Sequence, residues 1–227
     1  MTSTHTNANS SAHTHAYILL DRTGSMGSIW AEALSSVNAY VEALTKRADG
    51  AKPSENDKVT LAVFDHHDGL KFELLRRSVT AATWNKVTDA EASPRGMTPL
   101  FDSIARIVAL AEGDAPERAV IVIMTDGEEN SSKEVTKDGA RAALDRARAK
   151  GWEVVFLGAE FGKFSDAESV GVIRSKAMAV SAGSMEASMR KLASKSRNYF
   201  DLAESMEFNA EDRKESGEED VKRRKGS

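Results

Sequence analysis

The strongest apolar run in the chain reads Ala119-Val120-Ile121-Val122-Ile123-Met124, and Thr125-Asp126-Gly127 follows it directly. A continuous apolar run of this length is typical of a strand that is buried on both faces of a parallel sheet. A shorter run of the same kind, Tyr17-Ile18-Leu19-Leu20, ends at Asp21. We therefore expect two buried strands, each of which ends close to an aspartate.

Strand-like and helix-like segments alternate on both sides of this run. A turn at 65–69 joins two strands directly, which makes one edge strand antiparallel, whereas helices join the other strands and make them parallel. The predicted fold is of the α/β class, a three-layer Rossmann-like sandwich with a mostly parallel central sheet. The predicted strands lie at 17–20, 58–64, 70–75, 119–124, 153–157 and 173–180, and the predicted helices at 28–48, 100–111, 133–150 and 184–198.

Length and composition support one domain with an apolar core, because 41% of the 227 residues are hydrophobic. A net charge of −4 argues against nucleic-acid binding driven by bulk charge, and the lack of cysteine excludes disulfides, zinc ribbons and thiol nucleophiles. No apolar run approaches the roughly 18 residues that a membrane span needs. The N-terminal residues do not have the pattern of a signal peptide, so we expect a soluble, cytoplasmic protein.

Polar or charged segments flank the predicted domain. Residues 1–14 consist almost entirely of Thr, Ser, Asn, His and Ala, and we expect a disordered tail there. Residues 206–227 mix acidic and basic side chains, which predicts a charged and flexible tail. The domain itself is therefore predicted at 15–205.

Ligands of such sheets bind beyond the carboxyl ends of the strands, at the place where the strand order reverses. Three segments of the sequence fall at that edge, namely 21–27, 96–102 and 125–130. Their candidate side chains are all oxygen donors, which suit Mg²⁺ or Mn²⁺ rather than a soft metal. The predicted metal ligands are two carboxylates and three hydroxyls, those of Asp21, Thr23, Ser25, Thr98 and Asp126.

The mixture of carboxylates and hydroxyls matters more than the number of ligands. Two carboxylates cancel the charge of one divalent cation, while hydroxyls add donors without adding charge. The ion in such a near-neutral site keeps its affinity for one more anionic oxygen, such as a carboxylate of another protein. The N-terminus of the helix predicted from residue 28 points at the same place and favours an incoming anion.

These residues resemble the metal-ion-dependent adhesion site of the von Willebrand factor A (vWA) domain family, in the compact form found in bacterial and phage proteins. In that family the first loop usually has the pattern Asp-x-Ser-x-Ser, a distant Thr follows, and an Asp-Gly pair closes the central strand. Here the motifs are Asp21-x-Thr23-x-Ser25, Thr98 and Asp126-Gly127, in the same order, and the resemblance covers residues 15–200. Thr23 departs from the usual Ser, but it keeps the hydroxyl and adds only a methyl group.

The resemblance implies that the hydroxyls contact the ion directly and that one or both aspartates act partly through water. It also implies a sixth position that is left for a Glu or Asp of a protein partner. Asp102, Gly127 and Glu128 are candidates for residues that support the metal ligands without contacting the ion. The structural alternatives are helix caps for Asp21 and Asp126, a charge that offsets the helix dipole for Asp102, and a solvated loop residue for Glu128.

An enzyme is the competing class of function. Phosphohydrolases of the haloacid-dehalogenase type need Asp-x-Asp-x-Thr after the first strand, with the second Asp as acid and base, but Thr23 occupies that position. A Walker loop, a G-x-G-x-x-G motif and a G-x-S-x-G elbow are also absent from the sequence. Catalysis by these known mechanisms is therefore not expected.

The predicted function is a non-catalytic, Mg²⁺-dependent module that binds an acidic residue of a protein partner, and binds neither nucleic acid nor membrane. One alternative is a structural or assembly protein, of a phage or a bacterial stress complex, in which the metal only ties the loops. The less favoured alternative is a metal-dependent phosphohydrolase. The family resemblance adds an AAA+ ATPase or a stress complex as a class of partner.

Overall fold

The computed structural model describes residues 13–47, 50, 52–159 and 165–225. Six strands form one sheet, and helices cover both of its faces. The strands are β1 (Thr14–Asp21), β2 (Asp57–His66), β3 (Leu70–Thr80), β4 (Arg118–Thr125), β5 (Glu153–Ala159) and β6 (Ala177–Val180). The helices are α1 (Trp30–Leu44), α2 (Leu100–Asp114), α3 (Lys137–Ala149), α4 (Ser165–Ser169), α5 (Met185–Leu202), α6 (Ala210–Glu215) and α7 (Glu218–Lys225).

The strand order is β3-β2-β1-β4-β5-β6, and β2 with β3 is the antiparallel pair among otherwise parallel neighbours. Helices α1 and α5 pack on one face of the sheet, and α2 and α3 pack on the other. The predicted three-layer α/β sandwich, with a mostly parallel sheet and one antiparallel edge strand, is therefore confirmed.

Strand β1 shows why the central strands are continuous apolar runs. Ala16, Ile18 and Leu20 belong to the core beneath α1 and α5, whereas Tyr17 and Leu19 belong to the core beneath α2 and α3. Successive side chains of a strand point to opposite faces, and here both faces are covered. Every residue of the run is consequently fully buried.

The strand order places the carboxyl ends of β1 and β4 side by side. From β1 the chain crosses through α1 to β2 on one side, and from β4 it crosses through α3 to β5 on the other. The order therefore reverses between β1 and β4, where Leu20 pairs with Met124. The loops after these two strands meet at this switch point, the usual ligand position in such sheets.

Several elements begin later than the sequence pattern predicts. A 3-10 turn at Gly24–Ser28 precedes α1, and another at Arg174–Lys176 precedes β6. Helix α3 begins at Lys137, because the Oγ1 of Thr136 accepts a hydrogen bond from the backbone N–H of Gly139, 3.2 Å away, and caps the helix there. Across the described residues, no helix combines the length and apolarity that spanning a membrane requires.

The N-terminal boundary lies slightly before the predicted one. Residues 1–12 of the predicted tail lie outside the described residues, but Thr14 already belongs to β1 and is buried. Its Oγ1 donates a hydrogen bond to Asp57 Oδ1 at 2.7 Å, and its backbone pairs with both neighbouring strands. Backbone pairing extends the strand into polar sequence, which an apolar pattern does not reveal.

The C-terminal boundary also differs from the prediction of a flexible tail after residue 205. Residues 210–225 form α6 and α7, and the side chains of Met206, Phe208 and Val221 are buried in the two cores. The charged residues pair with partners far away in the sequence, as Asp212 does with Lys191 and Lys195. The composition of this segment indicated a solvated tail because composition does not show that its charged residues pair with residues of other elements. Residues 226–227 lie outside the described part.

A buried histidine lies at the other end of β1. The Nε2 of His15 is 2.9 Å from Thr60 Oγ1, its ring stacks on Tyr17, and the side chain has no exposed surface. Burial lowers the pKa of His15 to about 3, although the nearby Asp114 partly opposes this shift.

Acid should therefore destabilise the fold through His15. The pKa of His15 in the folded state lies below its value in the unfolded chain. As the pH drops below about 6.5, the unfolded chain therefore binds a proton at His15 while the folded chain does not, and the free energy of unfolding falls. Between pH 6.5 and about 5 we expect a loss of about 2 kcal/mol from this group. Urea unfolding of wild type and His15→Gln should show a shallower pH dependence in the variant. His67→Gln, at an exposed position, is the control, and equal pH dependence in wild type and His15→Gln would contradict the assignment.

Candidate metal-binding site

The carboxylate of Asp21 is buried at the switch point and ties two loops together. Its Oδ1 accepts a hydrogen bond from the backbone N–H of Thr23 at 2.7 Å, which folds the first loop over the end of β1. Its Oδ2 accepts a hydrogen bond from Thr125 Oγ1 at 2.5 Å, which links β1 to β4. The Thr125 hydroxyl was not predicted as a site residue, and the register of β1 with β4 is what brings it to Asp21.

The predicted hydroxyls lie next to one another above this carboxylate. The Oγ1 of Thr23 is 3.2 Å from Ser25 Oγ and 3.4 Å from Thr98 Oγ1. Ser25 Oγ donates to Asp126 Oδ1 at 2.7 Å, which brings in the second carboxylate. The structure thus places the five predicted ligands, from three separate loops, in one cluster of oxygens.

Gly127 borders this cluster of oxygens. A Cβ built on Gly127 would lie 3.1 Å from Thr98 Oγ1, 3.6 Å from Ser25 Oγ and 3.9 Å from Asp21 Oδ2. The point that a methyl group would occupy is therefore surrounded by oxygens of three predicted ligands. A glycine here keeps that point open, and the lining fits a hard cation.

The electrostatics of Asp21 point in the same direction. Burial raises the pKa of Asp21 to about 7, and the neighbouring Asp126 adds to the rise, although hydrogen bonds from Thr125 and Thr23 oppose it. The fold thus holds the carboxylate out of water with hydrogen bonds from neutral groups. A bound cation would stabilise the ionised form.

Arg22, the cationic residue next to Asp21 in the sequence, pairs with acidic residues outside the oxygen cluster. Arg22 is buried, and its Nε donates to Asp65 Oδ2 at 2.5 Å while its two terminal nitrogens bond Glu73 at 2.8 and 2.9 Å. This pairing anchors the first loop to β2 and β3. The sequence did not single out Arg22, because its partners lie 43 and 51 residues away.

The loop that carries Thr98 is fixed from both sides. Its backbone N–H donates to Asn130 Oδ1 at 2.9 Å, and its carbonyl accepts from the backbone N–H of Asn130 at 3.1 Å. On the other side Gly96 has a φ of +68°, and a Cβ there would lie 2.4 Å from the carbonyl oxygen of His66. Only a glycine fits this close approach. Asn130 ends the segment 125–130 that the sequence placed at this edge, but it was not predicted as a site residue.

The three predicted supporting residues differ in their surroundings. Asp102 is buried and accepts hydrogen bonds from the backbone N–H groups of residues 133–135, at 2.7–3.0 Å, so it holds the loop that follows β4. Gly127 borders the oxygen cluster directly. Glu128 is exposed, and its neighbour Glu129 instead holds the loop by accepting from the backbone N–H groups of Phe101 and of residues 131–132.

The donor set is poor in charge. Within the described part of the chain, no three His, Cys, Asp or Glu side chains form a group that could hold a metal. The oxygen cluster contains two carboxylates, and its other side-chain oxygens are hydroxyls. Ser25 is exposed while Asp21, Thr23 and Thr98 are buried, so the cluster opens to solvent on the Ser25 side.

A comparison with protein families matches residues 16–213 to the model of the von Willebrand factor type A domain. No curated protein matches the chain. The matched range begins within β1, includes β2 to β6 and helices α1 to α5, and extends into α6.

Solved structures share the fold at low sequence identity. Manganese-loaded TRAP protein of Plasmodium vivax is 17% identical, with a TM-score of 0.55 over 78% of this chain and 72% of that one. The pilus adhesin SpaC of Lactobacillus rhamnosus GG, in its open conformation, is 12% identical, with a TM-score of 0.65 over 83% of this chain and 30% of that one. The vWF domain of the type V pili tip protein Mfa5 of Porphyromonas gingivalis is 11% identical, with a TM-score of 0.58 over 81% of this chain and 95% of that one.

Proposed function

The chain belongs to the von Willebrand factor type A domain family, a family of protein-interaction and adhesion modules, and we propose that it is a non-catalytic member that captures a protein partner through a bound Mg²⁺ or Mn²⁺ ion. The partner donates a Glu or Asp carboxylate to the ion. The residues that would hold the ion are Asp21, Thr23, Ser25, Thr98 and Asp126.

The observation that carries this proposal is the oxygen-lined space beside Gly127. The atoms nearest to a methyl group on Gly127 are three oxygens from two loops, those of Thr98, Ser25 and Asp21. Hydrogen bonds link the hydroxyls of Thr23, Ser25 and Thr98 to one another and to Asp126, so side chains of three loops form one cluster beside Gly127. Hydroxyls and carboxylates are the ligands that Mg²⁺ and Mn²⁺ prefer.

The charge of the donor set supports capture of an anion. Two carboxylates balance one divalent cation, so the bound ion would keep its attraction for a further negative oxygen. The solvent-exposed side of the cluster, at Ser25, gives such an oxygen access. When bound, the ion would supply electrostatic attraction to a carboxylate, while the protein residues would hold and orient it.

The similar structures support this function at the level of their descriptions. The TRAP structure is described as manganese-loaded, SpaC as a pilus adhesin, and Mfa5 as a pili tip protein. At identities of 11–17%, their TM-scores of 0.55–0.65 establish a shared fold alone. Metal binding and adhesion are carried over to this chain as part of the proposal.

A purely structural metal is the alternative that we favour less. The loops of the site are already joined to one another by protein hydrogen bonds, through Asp102, Glu129, Asn130 and the Asp21–Thr125 contact. A metal is therefore not required to tie them. Hydrolysis of a phosphate ester is also disfavoured, because Thr23 stands where an acid–base aspartate would be needed.

Calorimetric titration of the chelator-treated protein tests the proposal. We expect about one Mg²⁺ or Mn²⁺ ion to bind per chain, and acetate to strengthen that binding because it can serve as the additional carboxylate. Metal binding that acetate does not change, together with a melting temperature that falls on chelation, would favour the structural alternative. No metal binding at all would contradict both readings of the site.

A further inference from the structure

The two edge strands of the sheet differ in how they are protected against pairing with another chain. An edge strand presents backbone N–H and C=O groups to which a further strand can add. Strand β3 carries the charged residues Lys71, Glu73, Arg76 and Arg77, and its pairing with β2 contains shifts of register. Charges and irregular pairing of this kind discourage strand addition. Strand β6 has the sequence Ala-Met-Ala-Val and carries no charge, so its edge needs another form of protection.

The turn between α6 and α7 bonds the outer edge of β6 as a further strand would. Alternate residues of a strand present their backbone groups on the same edge. Three such groups find partners in residues 213–218: the carbonyl of Ala177 accepts from Arg213 at 2.9 Å as well as from Arg174 at 2.8 Å, the N–H of Ala179 donates to Glu218 Oε2 at 3.2 Å, and the N–H of Ser181 donates to the carbonyl of Ser216 at 2.9 Å. The turn therefore covers the β6 edge.

Most of the contacts that hold this cover are polar. Among residues 210–224, Val221 is the one buried apolar side chain, and the other buried side chains are those of Asp212, Ser216 and Glu218. Segments with few buried apolar contacts open at a lower free energy than the core does. The preceding segment is anchored differently, because Met206 and Phe208 belong to the core beneath α1 and α5. Residues 210–225 can consequently leave the sheet while the rest of the domain stays folded.

We propose that residues 210–225 are a displaceable cover, and that the uncovered edge of β6 pairs antiparallel with β6 of a second copy of this chain. Two identical strands related by a two-fold axis form a self-complementary interface. Because β6 is uncharged, this pairing places no like charges opposite each other. The proposal does not depend on metal binding at the switch point, which lies between β1 and β4.

Gly217 offers a substitution that should displace the cover. Its φ is +70°, and a Cβ there would lie 2.3 Å from Ser181 Oγ and 3.0 Å from Ser181 Cβ. Rotation of the Ser181 hydroxyl would not relieve the second contact, so the turn has to move away from the strand. We expect Gly217→Ala to speed hydrogen exchange at the Ala179 amide by about tenfold or more. Gly50→Ala is the matched control, because Gly50 has a φ of +69° and no atom within 4 Å of its Cβ position.

Hydrogen exchange and sedimentation velocity of the full chain, each at low and high protein concentration, test the proposal. At high concentration Gly217→Ala should form a species of twice the wild-type mass, in which the amides of Ala179 and Ser181 regain protection. Glu218→Gln keeps the size of the side chain but removes the charge that binds Arg213, and should act in the same direction. Gly50→Ala should behave as the wild type does.

The amide of Ile121, in the central strand β4, serves as the internal reference for the intact fold. Unchanged exchange at Ile121, with faster exchange at Ala179, would support a cover that opens by itself. Equal acceleration at both amides would overturn that assignment, as would wild-type exchange at Ala179 in both variants. Pairing between copies is overturned if the opened variants do not associate, or if they associate while the amides of Ala179 and Ser181 remain unprotected.

Discussion

Replacing Asp21 with asparagine is expected to abolish binding of Mg²⁺ and Mn²⁺ while the metal-free domain stays folded. The amide keeps the size of the side chain and an oxygen that can accept from Thr23 or Thr125, but it removes the charge. Residues that merely support a ligand change metal affinity by about 10–100-fold, so loss of a charged ligand should cost at least about a hundredfold. Calorimetric titration and thermal unfolding in chelator provide the two measurements.

The metal-free stability of this variant separates a lost ligand from a lost fold. Burial raises the pKa of Asp21 to about 7, so the ionised carboxylate is poorly stabilised without a cation, and the neutral amide should be tolerated at alkaline pH. Asp138→Asn, at an exposed position in the first turn of α3, removes one charge outside the site and should bind metal as the wild type does. Unchanged affinity in Asp21→Asn would show that the ligand set is wrong.

Gly127→Ala should block the same site by filling it. The added methyl group would lie 3.1 Å from Thr98 Oγ1 and 3.6 Å from Ser25 Oγ, and would therefore crowd two of the hydroxyls that are proposed to hold the ion. We expect metal affinity to fall by about tenfold or more, and metal-free stability by about 1 kcal/mol, because crowding of this kind is mild. Titration with Mn²⁺ and urea unfolding measure the two effects.

A matched alanine substitution supplies the control for Gly127. Gly113 lies in α2, and a Cβ there meets no atom within 4 Å. Gly113→Ala should therefore leave metal binding unchanged, and a helical alanine should stabilise the domain by about 0.5–1 kcal/mol. Wild-type metal affinity in Gly127→Ala would place the ion elsewhere.

The sheet and the five candidate metal ligands could be predicted because their sequence signals are local. Buried parallel strands must be apolar on both faces, so the run at 119–124 identifies β4 without any knowledge of its neighbours. The pattern Asp21-x-Thr23-x-Ser25 places three oxygens on one short loop after a strand. Since ligands of such sheets collect at the carboxyl ends of the strands, the candidate region followed directly.

Apart from Asp102, the residues that hold this site in place left no local signal. Thr125 meets Asp21 because β1 and β4 pair in one register, and Asn130 meets Thr98 because two loops cross above that edge. Arg22 pairs with Asp65 on β2 and with Glu73 on β3, which lie 43 and 51 residues further along the chain. Each of these contacts depends on which strands become neighbours.

The same distinction explains the ends of the chain. Composition alone suggested polar tails at 1–14 and 206–227, because these segments contain few large apolar side chains. In the folded chain His15 fits between Thr60 and Tyr17, and Glu218 serves as the common acceptor for cations of three separate segments. Apolar periodicity and motif spacing were sufficient for the α/β class and the metal-site candidates, since both are properties of neighbouring residues. The partners of buried polar and charged groups were settled only when the chain packed, because a hydrogen bond or ion pair is specified by distance in space and not by distance along the sequence.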